Sequence, residues 1–314
     1  MFDLKHLRVL REVANRGSFS AAAEALAYTQ PAVSQQIALL ERQAGVKLLD
    51  RTPRGVRLTD AGRALVEHAD AVLARLSAAE AELEAIAGVR GGRVRLASFP
   101  TAGAALAPPA VALFQERHPE VELSLIEAEP EESSRMLRAA ELEVALVIRN
   151  SEPDAMRDFD RMYEGLELHH LVDDPMYLAL PRDHPAVRRK RVRLKDFAEA
   201  TWIHNECTGP CGRLQLAACN AAGFEPQISF QSDDYNVVQG LVAAGMGVSL
   251  LPALALPNVR EDIAIRSLGP SAPHRKIFAA TLEDRYRSPA TNAMLAVLDD
   301  VAARFTLPTE AVAA

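Results

Sequence analysis

Cysteine is scarce, and its three copies, Cys207, Cys211 and Cys219, form an odd, clustered set that does not build a secreted disulfide framework. A reducing compartment is the expectation. Long apolar runs are missing too: none approaches the roughly 18 to 20 residues that a membrane span needs. The opening stretch from Met1 to Arg8 is charged throughout and carries no leader pattern. The chain is therefore expected in the cytoplasm, with no membrane partner. There is no low-complexity tract, and 49% hydrophobic with 25% charged residues excludes a disordered or fibrous chain. Signatures of catalysis are absent as well: no Gly-x-Ser-x-Gly elbow, no His-Glu-x-x-His, no phosphate-binding glycine loop and no paired metal-ligand spacing. Neither an enzyme, nor a cofactor, nor a resident metal is expected.

What is present is an uneven charge. The net of −7 is wrong for a nucleic-acid partner until it is divided along the chain. Residues 1–63 carry ten Lys or Arg against six acids, a net of +4, which leaves −11 for the remainder. A small cationic module beside a larger acidic one suits phosphate binding, because that affinity follows local charge.

Helical periodicity begins at once, with Leu7, Leu10 and Ala14 on one face and Gly17 as a stop. Ser18 suits the N-cap of a second short helix, and Thr29 that of a third, with Pro31 in its first turn, where a missing N–H costs nothing. On the third helix Val33, Ile37 and Leu40 make one apolar stripe, while Pro31, Gln35, Ala38 and Arg42 lie opposite and Gln30 and Ser34 on the flank. Residues 46–58 read as two strands around a turn at Thr52 to Gly55, placing Arg51, Arg54 and Arg57 on or near a protruding wing. Thr59 caps a long helix running to about Ala87 and stopped by Gly88. Along it Leu65, Ala69, Val72, Leu76, Ala79, Leu83 and Ile86 are spaced 4, 3, 4, 3, 4 and 3, a heptad seam that calls for a partner helix.

After Gly91 and Gly92 the pattern alternates. Strands are expected at 93–98, 121–127, 143–148, 166–172, 176–180, 202–204, 227–231, 247–251 and 276–281, with helices at 104–117, 131–140, 211–222, 234–244 and 289–304. This is an α/β domain in two lobes, the chain leaving the first near Tyr163 and returning near Leu268.

Specific residues carry a resemblance. Ser18 to Leu26, Thr29 to Ile37, Leu40 with Glu41, Gly45, Arg51 with Thr52, and Val56 to Gly62 closely resemble the LysR-type transcriptional regulators. So do Phe114 to Pro119, Leu142 to Leu146, Ala222 to Pro226 and Val242 to Pro252 in the second half. Thr29 stands where serine is usual in that family, and Leu49 where an aromatic is common. The resemblance implies a multidomain chain: an all-α winged helix-turn-helix domain (1–58), a linker and dimerisation helix (59–88), and an α/β two-lobed effector domain of the periplasmic-binding-protein type 2 kind (91–314). Lobe I would hold 91–162 and 268–304, and lobe II 163–267. It implies a homodimer joined along the linker helix, a homotetramer, double-stranded DNA with an interrupted-palindrome operator as partner, and RNA polymerase as a further one.

For the DNA-binding site the resemblance points to Ser18, Thr29, Gln30, Pro31, Ser34, Gln35, Arg51 and Arg54. The two glutamines can pair donor and acceptor with a base, Ser34 reaches a base or phosphate, and Pro31 touches a thymine methyl; the wing arginines suit backbone or minor-groove contacts. For a small-molecule effector between the lobes the candidates are Ser98, Phe99, Pro100, Thr101, Glu127, Glu129, Ile148, Asn205, Thr208, Ser232 and Asp233. Helix starts after Thr101, Thr208 and Asp233 favour an anion, while Glu127 and Glu129 suit an amine, and the sequence leaves both open. The cysteines with His204 nearby raise metal binding and peroxide sensing as alternatives, the default being small buried or loop residues, Cys219 on the apolar face of a helix.

Overall fold

The computed structural model describes residues 2–52, 55–86, 91–150, 159–205, 210–283 and 287–305. The chain forms two compact units, residues 1–89 with 138–141 and residues 90–137 with 142–314. Among the described residues no helix is long and apolar enough to cross a membrane.

In the first unit the helix limits follow from their caps. Asp3 accepts a hydrogen bond from Lys5 N at 2.8 Å to start α1 (Leu4–Arg16), which ends at Gly17 with a left-handed φ of 63°. Ser18 caps α2 (Phe19–Ala25), and Thr29 caps α3 (Gln30–Ala44), closed by Gly45. Leu7, Leu10 and Val13 of α1, Ala22 and Ala23 of α2, and Val33, Ile37 and Leu40 of α3 share one core. The wing is an antiparallel pair, β1 (Leu49–Thr52) and β2 (Gly55–Leu58), with Leu49 opposite Leu58 and Thr52 opposite Gly55. The strand expected from Val46 begins only at Leu49, because Glu41 Oε1 takes the N–H groups of Leu48 and Leu49 at 3.0 and 3.4 Å.

Thr59 starts α4 (Asp60–Ile86): its hydroxyl accepts from Gly62 N at 3.0 Å and donates to Lys47 O at 2.8 Å. The expected stop at Gly88 lies outside the described residues. The heptad seam is divided. Leu65 and Ala69 pack on the core of their own unit, while Val72, Ala79 and Leu83 are exposed, Leu83 at 65%.

The second unit runs β3 (Arg93–Ser98), α5 (Pro100–Ala105), α6 (Ala107–Arg117), β4 (Glu122–Glu127), α7 (Pro130–Arg138), β5 (Val144–Asn150), β6 (Leu166–Pro181), β7 (Thr201–His204), α8 (Pro210–Ala221), β8 (Gln227–Gln231), α9 (Tyr235–Ala243), β9 (Ser249–Pro252), β10 (Ile263–Ser267), β11 (His274–Leu282) and α10 (Pro289–Arg304). This unit departs from the sequence reading in three main places. The helix expected over 104–117 is two, meeting at Leu106, since Pro108 and Pro109 have no N–H to donate back across that junction. The strand β10 was not anticipated. The strands expected at 166–172 and 176–180 are one, continuous through Asp173, Asp174 and Pro175.

That long strand makes the two lobes. Residues 166–175 of β6 pair with β11, while Met176 to Pro181 pair with β9 and β10. The chain thus changes lobe in mid-strand and not near Tyr163, which is buried in the first lobe against Phe159. In the first lobe the order is β6-β11-β5-β3-β4, with β3 parallel to both β4 and β5. One face of this sheet buries Leu96, Leu146 and Ile277 against Phe114 of α6 and Met294 and Leu298 of α10. In the second, β7 and β8 join through a bridge between Trp202 and Val248, and Trp202 is fully buried with its indole N–H donated to Phe197 O at 3.1 Å.

Candidate nucleic-acid interface and effector cleft

The apolar stripe of α3 is spent on the core, which fixes what its other side can do. Gln30, Pro31 and Gln35 are exposed and Ser34 is half-buried at the helix start. Thr29 Oγ1 accepts from Ala32 N at 3.4 Å, so the first turn is held by its own cap. Ser18 Oγ does the same for Ala21 N at 3.4 Å. The far end is locked by Glu41, missed as a structural residue in the sequence reading. Burial works against its charge, but the Lys47 ammonium at 2.7 Å and the two backbone N–H groups outweigh that and hold the carboxyl below its ordinary value. The wing is tied to the α1–α2 turn, where Val56 N donates to Gly17 O at 2.9 Å and Gly55 takes a φ of 133°. Arg51 sits in β1, opposite Val56. Arg54 lies outside the described residues.

The second unit gathers a buried polar chain between its lobes. Arg275, at the start of β11, is 1% exposed and Asp174 in mid-β6 is 0% exposed; Nε donates to Oδ2 at 2.7 Å. Arg275 Nη2 donates to Thr101 Oγ1 at 2.7 Å, Nη1 to Cys211 Sγ at 3.2 Å, and its guanidinium lies 5.4 Å from the Phe99 ring centre. Asp174 also accepts from Leu254 N at 3.0 Å. Burial pushes the Asp174 carboxyl up, with Arg275 opposing. Loss of water, then the neighbouring Cys211, raises the Tyr235 phenol. Tyr235 Oη donates to Asn205 Oδ1 at 3.4 Å, and Asn205 Nδ2 to Ser232 O at 3.2 Å.

Of the expected effector residues, the structure brings Thr101, Phe99, Asn205 and Ser232 into this chain. Ser98 is buried beside it, its hydroxyl on Phe99 O at 3.1 Å, and Pro100 is exposed. Glu127, Glu129 and Asp233 form an acidic group: Glu129 is raised by loss of water, then by the negative charge of Asp233 and Glu127. Ile148 packs in the first lobe's core. Thr208 lies outside the described residues. The cap of α9 is Asp234, whose carboxylate accepts from Asn236 N, rather than Asp233. Asp174, Arg275 and Tyr235 were missed by the sequence reading; the His274-Arg275-Lys276 triplet heading the apolar run of β11 was the available signal.

The cysteines separate. Cys219 is buried in the second lobe's core, its thiol pushed up to about 12 by burial. Cys211 meets Arg275, and Cys207 lies outside the described residues. His204 is 0% exposed, its imidazole lowered by burial, with Nδ1 on Asn205 O. Among the described residues no three His, Cys, Asp or Glu side chains gather to hold a metal.

Residues 4–63 match the bacterial regulatory helix-turn-helix protein model of the lysR family, and residues 87–303 match the LysR substrate binding domain. A hydrogen peroxide-inducible genes activator of Pectobacterium carotovorum subsp. carotovorum is 32% identical over 260 residues, 82% of each chain. The DNA-binding transcriptional dual regulator OxyR of Escherichia coli (strain K12) is 30% identical over the same share of each. A full-length OxyR variant from Pseudomonas aeruginosa has the same fold, with a TM-score of 0.69 at 22% identity, over 99% of this chain and 98% of that one. With both family models matched along the chain and relatives 30% or more identical over 82% of it, the chain belongs to the LysR family of DNA-binding transcriptional regulators.

Proposed function

We propose that Gln30, Pro31, Ser34 and Gln35 read base edges in the major groove of an interrupted-palindrome operator. Ser18, Thr29, Arg51 and Arg54 then hold phosphates or the minor groove. The observation that carries this is the exposed, capped first turn of α3, whose opposite face is committed to the core. Two copies join along α4 through the exposed Val72, Ala79 and Leu83 and pair again into a tetramer, which acts on RNA polymerase in the cytoplasm. A mobility shift on DNA upstream of the protein's own gene tests the reading. Wild type binds at moderate salt and Gln35→Ala shifts the same DNA only at higher protein concentration; failure of wild type to bind any nearby intergenic DNA would sink it.

The effector acts on the chain from Thr101 through Arg275 to Cys211, because these bonds cross between lobes and a shift of one lobe breaks them. Arg275 is already paired with Asp174, and the nearby acids Glu127, Glu129 and Asp233 favour an amine over a carboxylate. A second reading rests on the contact of Cys211 Sγ with Arg275: peroxide oxidises this thiol to a sulfenic acid, an S–O bond replacing the O–O bond as water leaves, in keeping with relatives named for peroxide induction. Thermal shift with panels of amines and acids, with and without peroxide, separates the two. A melting change caused only by peroxide and abolished by Cys211→Ser selects the thiol.

A further inference from the structure

The second lobe carries a feature that neither site uses. Arg188, Arg189, Lys190, Arg191, Arg193 and Lys195 place six cations in eight residues, with no acid among them, in the part of the chain whose net charge is −11. All six side chains are exposed. Their backbone is held: Ala186, Val192 and Phe197 are buried beneath it, and Arg266, reaching from β10, donates to the carbonyls of Ala186, Val187 and Arg189. One acid answers the run. Asp196 bonds Arg193 at 3.0 Å and stands 3.9 Å from Arg189, which leaves Arg188, Lys190, Arg191 and Lys195 without an ion pair among the described residues.

We propose that residues 188–195 are a second DNA contact, an ordered cationic edge that grips the phosphate backbone of duplex outside the operator core. A loop already fixed by Arg266 loses little further freedom on binding. No Phe, Tyr or Trp lies among residues 182–195 to stack on unpaired bases, which disfavours single strands. Within residues 188–195 no apolar side chain is exposed, which disfavours insertion into a lipid surface. Arg188 and Lys195 lie in single 3-10 turns, Pro185–Arg188 and Leu194–Phe197, and the other cations lie between or beside them; with no long helix or ribbon to enter a groove, such side chains neutralise phosphate and carry no sequence information. The proposal rests on the family's DNA binding and adds to it a site distant in sequence from the reading helix.

The test uses full-length protein and measures operator affinity against salt on two duplexes, one trimmed to the operator core and one with long flanks. Each phosphate neutralised adds about 0.9 to the slope of log affinity against log salt. The variant Arg188→Gln, Lys190→Gln, Arg191→Gln, Lys195→Gln lowers the slope by about 2 to 4 on the long duplex and leaves it unchanged on the short one. A companion with Arg188→Lys and Arg191→Lys keeps the wild-type slope. An unchanged slope on both duplexes, or an equal loss on both, overturns the proposal. So does variant-sensitive binding to anionic phospholipid vesicles with the DNA slope unaltered. Failure of the family reading looks different: wild type then binds neither duplex.

Discussion

Asp174→Ala removes the buried partner of Arg275 and leaves a guanidinium that is 1% exposed with its Nε unpaired. The contacts of Nη1 with Cys211 and Nη2 with Thr101 remain, but neither carries the opposite charge of a carboxylate. Breaking one side of such a pair costs about 3 to 5 kcal/mol. For a unit of this size each kcal/mol moves the melting midpoint by roughly 2 to 4 °C, so the effector domain melts roughly 6 to 20 °C lower. Arg275→Met strands a carboxylate instead, which retains Leu254 N–H and has a route of escape, since burial already pushes it up and it can take a proton. A group whose folded value lies above its unfolded value penalises folding as pH rises between the two. The Arg275→Met penalty therefore shrinks from pH 7 towards about pH 4, while the Asp174→Ala penalty does not. The double change Asp174→Leu, Arg275→Met removes both charges and costs less than Asp174→Ala alone. Urea and thermal unfolding of the full-length protein measure all three. A shift under about 2 °C for Asp174→Ala, or a double variant whose cost equals the sum of the singles, refutes the buried pair.

In the DNA-binding unit, Glu41→Gln loses the charge that binds Lys47 and the N–H groups of Leu48 and Leu49, and costs about 1.5 to 3 kcal/mol in an unfolding titration. The folded carboxyl lies below its ordinary value, so its contribution is complete above about pH 5 and is lost as pH falls through the folded value. The wild-type and variant curves should therefore converge in acid. Gly62→Ala places a Cβ 2.1 Å from Leu48 O, against backbone that cannot rotate away, and destabilises the same unit by about 1 to 3 kcal/mol or more. Undiminished stability there would show that α4 does not approach Leu48 as described.

The features of the first unit that were legible in the sequence are local ones. Thr29, Pro31 and Gly45 mark α3 within single turns, and Val33, Ile37 and Leu40 mark its inner face. The effector cleft was legible only in part, because its central contact joins residues 101 positions apart and leaves no periodic trace. Asp173, Asp174 and Pro175 look like a break between strands. They form the middle of β6 because Asp174 is matched by Arg275 and because Pro175, lacking an N–H, falls where the partner changes from β11 to β9 and β10. The heptad seam shows the same limit: spacing reveals a stripe on α4, but Leu65 and Ala69 turn to their own core while Val72 and Leu83 do not.

The proposed function requires that the start of α3 reads bases. Quantitative binding of wild type and Gln35→Ala to an operator series carrying one altered base pair at a time tests it directly. A glutamine bonded to a base supplies about 1 to 3 kcal/mol of discrimination, so Gln35→Ala should weaken cognate binding about 5- to 150-fold and become indifferent to one base pair in each half-site. Loss of affinity that is uniform across the whole series, with every base preference retained, would contradict it.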